Sequence, residues 1–134
     1  VAGPFEVAVR AFADRAMENA DQVVRKVVLD VWGALILRSP VDTGRFRQNW
    51  FYGADAPPRQ TIPGTGTSES PAPAPQFPGV TGEALGLIHY ISNNLPYARR
   101  LEYGWSKQAP QGIAGLTAVE FNDFIQRALG EVRS

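Results

Sequence analysis

Residues 5–38 contain no proline and a single glycine, Gly33. With Val24, Val28, Val31 and Leu35 recurring at three- and four-residue spacing, this stretch predicts one long helix. Pro4 suits the first turn of such a helix, and Ser39-Pro40 ends it, because the residue before a proline is pushed out of the helical region. At 1.5 Å per residue the helix would be about 50 Å long, whereas a compact chain of this size has a radius of gyration of about 14 Å. It must overhang its own domain: either it bends near residues 19–21, or its first half packs on another subunit. Its second half, apolar almost all round from Val23 to Leu37, is the expected central core helix.

The middle of the chain has the opposite composition. Residues 53–86 hold seven of the eleven prolines and six of the thirteen glycines, with Phe77 as their one aromatic. Such a segment has little apolar surface to bury, and structureless loops beyond about 15 residues are uncommon in compact domains unless functional or disordered. The run Pro71-Ala72-Pro73-Ala74-Pro75 favours a stiff polyproline conformation. The segment is therefore expected to project as an arm towards a neighbouring subunit.

On its N-terminal side, residues 45–52 alternate Phe46, Trp50 and Tyr52 with Arg45, Arg47 and Asn49, which predicts a strand. On its C-terminal side, residues 87–92, rich in Ile and Tyr, predict a second strand. A short helix is expected over residues 96–102, with Pro96 in its first turn and Gly104 at its end. A last helix, from about residue 116 to 132, sets Phe121, Phe124, Ile125, Ala128 and Val132 on one face. In order, these elements predict one α+β domain over residues 1–134. It comprises a small antiparallel β-sheet packed against the long N-terminal helix and a C-terminal helix, with the long Pro/Gly-rich loop between the strands.

Charge and composition narrow the function. The 13 basic and 13 acidic residues cancel, which removes any whole-protein attraction to phosphate. Charged residues make up 19% of the chain and apolar ones 44%, a low charge density for a small solitary protein, so part of the surface is expected to be covered by partners. The absence of cysteine excludes a disulfide framework, a thiolate zinc site, an iron–sulfur cluster and a cysteine nucleophile. The single histidine, His89, excludes a multi-histidine metal site within one subunit. His89 lies mid-strand and reads as a structural or surface histidine rather than a proton-transfer group. Asp42, Asp55, Glu83 and Glu102 show no metal-loop spacing, and Gly64-Thr65-Gly66-Thr67 lacks the lysine of a phosphate loop. No catalytic, cofactor-binding or metal site is expected. No apolar run reaches the roughly 20 residues of a membrane span.

Two segments carry more information. In residues 39–44, Pro40 fixes a dihedral, Asp42 is placed to accept a bond from the N–H two residues on, and Gly44 is free to turn left-handed. With Pro96 and Gly104 they form the expected structural turns. Residues 99–108 concentrate Arg99, Arg100, Glu102, Trp105, Lys107 and Gln108. Arginine, tyrosine and tryptophan are enriched at interface hot spots, so these six are candidate subunit-interface residues, with a solvated helix face as the alternative.

Taken together, four pieces resemble the neck and tail-completion family of tailed bacteriophages. They are residues 39–44 followed by Arg47 and Trp50; residues 91–98, reading Ile-Ser-Asn-Asn-Leu-Pro-Tyr-Ala; residues 101–104, reading Leu-Glu-Tyr-Gly; and Gln108-Ala109-Pro110 with Gly112. They occur in that order over roughly residues 39 to 112. The resemblance implies a non-enzymatic structural protein of the virion, assembled in the host bacterial cytoplasm. It would form a homo-oligomeric ring at the head–tail joint or tail top, six subunits being preferred over twelve. Its neighbours would be the head-completion or connector protein and the tail terminator or tail tube protein. DNA would pass through the lumen without sequence-specific binding, with no membrane and no cofactor. A tail terminator ring is the nearest alternative; a small hydrolase using His89 with a carboxylate and a nucleic-acid-binding module are the competitors from other classes.

Overall fold

A computed structural model describes residues 4–98, 102 and 113–133. Helix α1 runs from Pro4 to Arg38 with no break at residues 19–21. Alanine, arginine, glutamate and methionine populate its first half, all strong helix formers. Ion pairs one turn apart, Asp21 to Arg25 at 2.7 Å and Lys26 to Asp30 at 3.0 Å, brace its middle. Ser39 ends it: the Ser39 N–H donates to the Ile36 carbonyl at 3.2 Å and the hydroxyl to that of Leu35 at 2.7 Å.

Residues 45–52 do not form the single strand that alternation suggests. Gly44 adopts φ 86°, and a one-turn helix, α2 (Arg45–Gln48), follows before strand β1 (Trp50–Ala54). Phe46 and Trp50 are four residues apart, which is helical spacing; both are buried, with ring centroids 5.8 Å apart in an edge-to-face arrangement. Strand β1 pairs antiparallel with β2 (His89–Asn93), from Trp50 opposite Asn93 to Ala54 opposite His89. The last helix is divided at Glu120 into α3 (Ala114–Val119) and α4 (Phe121–Arg133). The architecture is α+β, a small antiparallel sheet packed with a long N-terminal and a C-terminal helix.

Two buried clusters hold these elements. One joins Trp32 and Leu35 of α1 to Phe46, Trp50, Leu95 and Ile113, with Tyr52, Phe77 and Ile91 around them. The other seats Phe124 and Ala128 of α4 on Val27 of α1, flanked by Val23, Val31 and Ile125. Arg38 at the end of α1 clasps the α3–α4 junction, donating to the Thr117 hydroxyl at 2.7 Å and to the Glu120 carboxylate at 2.6 Å.

Residues 53–86 do not project. A proline-rich backbone has few N–H donors but keeps every carbonyl as an acceptor, and side chains of the domain supply the missing donors. Trp32 donates to the Pro75 carbonyl at 3.3 Å, Arg25 to Val80 at 3.0 Å and to Gly82, Arg47 to Ala72, and Asn94 to Pro58 at 2.9 Å. Phe77 packs between Trp32 and Tyr52, with centroids 5.5 and 5.1 Å away, while Ala72 and Ala84 are buried. Counting only the segment's own apolar residues misses this, because here hydrogen bonds from outside hold the loop. Ala72 also closes the turn at Gly44: its N–H donates to the Thr43 carbonyl at 2.8 Å, and a Cβ on Gly44 would stand 2.7 Å from Ala72 backbone atoms.

Candidate interaction surface

Every residue of α1 from 8 to 19 is exposed, Val9, Phe12 and Met17 by 50%, 74% and 61%. Their exposure reflects where α4 lies. It runs antiparallel to α1, from Glu120 beside Arg38 to Glu131, which pairs with Lys26 at 3.4 Å. The apolar face of α1 continues beyond that overlap, through Ala20, Ala16, Phe12 and Val9.

Beside the overlap lies an apolar groove of about 430 Å³, walled by Val23, Val24, Val27, Val28 and Val31 of α1, by Phe121 and Ile125 of α4, and by His89 and Ile91 of β2. Among the described residues His89 is its one titratable lining residue, and both its ring nitrogens are engaged. Nε2 lies 2.9 Å from the Ala84 carbonyl, which can only accept, so Nε2 carries the proton; Nδ1 then accepts from the Tyr52 hydroxyl at 2.6 Å. Burial pushes the Tyr52 phenol above its ordinary value. The pair ties β1, β2 and the end of the loop together. The groove therefore suits an uncharged, apolar occupant.

Of the six candidate interface residues, Arg99, Arg100, Trp105, Lys107 and Gln108 lie outside the described residues, as does Gly104 among the turns. Glu102 has a role within the chain. Its carboxylate accepts the N–H groups of Ile113 at 3.1 Å, Ala114 at 2.7 Å and Gly115 at 2.7 Å, capping α3 from a distance in sequence. The reason is electrostatic: the first N–H groups of a helix lack intrahelical partners and attract a carboxylate. Among the turns, Gly44 is left-handed as expected, whereas Asp42 accepts from the Ser68 hydroxyl at 2.5 Å, and the N–H of Arg45 is taken by the Thr43 hydroxyl at 3.2 Å. Pro40 follows the end of α1, and Pro96 lies in a turn before Ala98, whose N–H donates to the Leu95 carbonyl at 3.0 Å.

Two residues that organise this surface escape a reading by motif. Asp21 accepts the N–H groups of Ala84 at 2.6 Å and Leu85 at 2.8 Å, and its pairing with Arg25, together with these bonds, holds its carboxyl below the usual carboxylate range. Asn49, fully buried, binds Ile62. A polar residue between Phe46 and Trp50 was the available signal for Asn49; for Asp21 only its spacing from Arg25 was visible. No family model matches the chain, and neither a curated protein nor a solved structure is significantly similar to it.

Proposed function

We propose that the chain is a structural subunit of a closed ring at the head–tail joint or tail top of a tailed bacteriophage particle, with DNA passing through the lumen. The observation that carries this reading is that the first two of the segments that resemble the neck and tail-completion family, residues 39–50 and 91–98, come together among the described residues. Ser39 accepts the indole N–H of Trp50 at 2.7 Å, Asn93 donates to the Phe46 carbonyl at 2.8 Å, and Leu95, Tyr97 and Ala98 pack into the same cluster as Trp50. Pieces far apart in sequence thus act as one structural unit, as a shared fold requires. The overhanging half of α1 adds support, because it leaves an apolar surface that suits an assembly better than an isolated domain.

Six subunits is the preferred ring, twelve the alternative, with Arg99, Arg100, Trp105, Lys107 and Gln108 proposed for contacts between subunits. Cryo-electron microscopy of tailed particles carrying a tagged copy tests the reading. An axial ring between head and tail is expected; particles without the protein, or with isolated copies off the axis, reject it. Arg100→Glu should leave the far-ultraviolet helix signal nearly unchanged and block incorporation into particles, and normal incorporation would remove Arg100 from the interface.

A further inference from the structure

Arg25, Arg38 and Arg47 each donate to a segment distant in sequence, and two of the three have a carboxylate beside them. Arg25 pairs with Asp21 at 2.7 Å and Arg38 with Glu120 at 2.6 Å. Arg47 belongs to none of the ion pairs among the described residues. Its Nη2 donates to the Ala72 carbonyl, its Nε is shut off from solvent without an acceptor, and its Nη1 makes no hydrogen bond among the described residues. That Nε is the only buried side-chain nitrogen or oxygen among the described residues that lacks a partner. A guanidinium carries five N–H donors and keeps its proton, and burying a charge without a counterion is costly. The orphan points to an anion from outside the chain.

Arg47 lines an open pocket of about 500 Å³ between α1 and the proline-rich loop, with Leu29, Gly33 and Leu37 on the helix side and Pro75 and Phe77 on the loop side. Other polar groups of the lining are already engaged. The Ser39 hydroxyl donates to the Leu35 carbonyl and accepts from Trp50, and the Trp32 indole N–H donates to the Pro75 carbonyl. Among the described residues Arg47 is the one charged group that lines this pocket.

We propose that the pocket binds a small organic monocarboxylate, its apolar body against Leu29, Leu37 and Phe77 and its carboxylate on the Arg47 guanidinium. Small-molecule sites are concave, about 300–1,000 Å³ in volume, and combine apolar walls with a few polar groups that fix orientation. Charge selects the headgroup. The single charge of a carboxylate balances one guanidinium, and its two oxygens match the planar N–H donors. A phosphate monoester, close to a dianion at neutral pH, would leave uncompensated charge between apolar walls. The inference concerns the single subunit and does not depend on the ring reading.

Amide-resolved NMR of the labelled chain, titrated with octanoate, tests it. Octanoate should cause saturable shifts at the N–H groups of Gly33, Arg47 and Phe77. Octanamide, the same body without the charge, should bind about tenfold or more weakly, and octyl phosphate should also bind more weakly than octanoate. Arg47→Gln should bring octanoate down to the affinity of octanamide. Because Arg47 also holds Ala72, a second variant leaves it untouched. Gly33 is exposed, and a Cβ there meets no atom within 4 Å, so Gly33→Leu should fill the pocket and abolish octanoate binding with unchanged far-ultraviolet circular dichroism. Several results each overturn the site: no saturable shift, shifts at Val24 and Ile91 in place of those three, equal affinity for octanoate and octanamide, octyl phosphate binding as tightly as octanoate, or a Gly33→Leu chain that binds as the parent does.

Discussion

The carboxamide of Asn49 closes a two-bond ring on the backbone of Ile62: Nδ2 donates to the Ile62 carbonyl at 3.0 Å, and the Ile62 N–H donates to Oδ1 at 2.8 Å. A second Nδ2 bond reaches the Arg45 carbonyl at 2.8 Å. One side chain thus plays the part of a neighbouring strand, tying the α2–β1 junction to a loop with few donors of its own. Asn49→Ala should destabilise the fold by about 2 kcal/mol through the lost bonds and the groups left unpaired. Asn49→Asp should cost more, because it sets a buried carboxylate against two carbonyls. Thermal unfolding ranks the variants, and limited proteolysis should show earlier cleavage within residues 55–70; equal stability of all three proteins would remove the clamp.

Asp21 latches the other end of the loop, and its effect should depend on pH. Its folded carboxyl is held below the ordinary value of 3.8, first by the bond from Arg25 and then by that from the Leu85 N–H. A depressed carboxyl contributes stability that is fully present above the unfolded value and is lost as pH falls through the folded one. The amide proton shifts of Ala84 and Leu85, followed by NMR from neutral pH downwards, should move together with a midpoint below 3.8. Asp21→Asn should abolish that titration. A midpoint at or above 3.8 contradicts the latch.

Glu102 reaches across the sequence to the first N–H groups of α3. Glu102→Ala should lose about 1 kcal/mol, the scale of a helix N-cap, and Glu102→Gln should lose less, since it keeps one acceptor oxygen but not the charge that favours this end of a helix. Denaturant unfolding should show a lower midpoint with an unchanged slope. An unchanged midpoint in the alanine variant would mean that the cap contributes nothing to folding.

Gly33 lies in the interior of α1, exposed, and a Cβ there would meet no atom within 4 Å. Gly33→Ala should therefore stabilise the fold by about 0.5–1 kcal/mol through helix propensity. Calorimetry should show a rise in Tm of a few degrees. A fall would place this position in a contact beyond the single subunit, a result that self-association of the same variant would check.

Local chemistry was enough to determine several elements from sequence. The proline-free stretch and the Ser39-Pro40 stop set the two ends of α1, and the apolar period of residues 121–132 marked the face that α4 lays on it, because propensity and periodicity act within a few residues. The left-handed turn at Gly44 was legible for the same reason. Tertiary structure decided the rest. Phe46 and Trp50 fit an alternating pattern as well as a helical one, and the bonds from Gln48 to Gly44 and from Asn49 to Arg45 chose the helical turn. The proline-rich loop had no reason of its own to be ordered; donors contributed by Arg25, Trp32, Arg47, Asn49 and Asn94, spread over 70 positions of the chain, supply it. Glu102 carries the same charge whether it faces a partner or a helix end, and only the arrival of Ile113, Ala114 and Gly115 beside it selects the cap. Hydrogen bonds between distant segments depend on where the chain returns, and that position is a property of the packed core rather than of any local pattern.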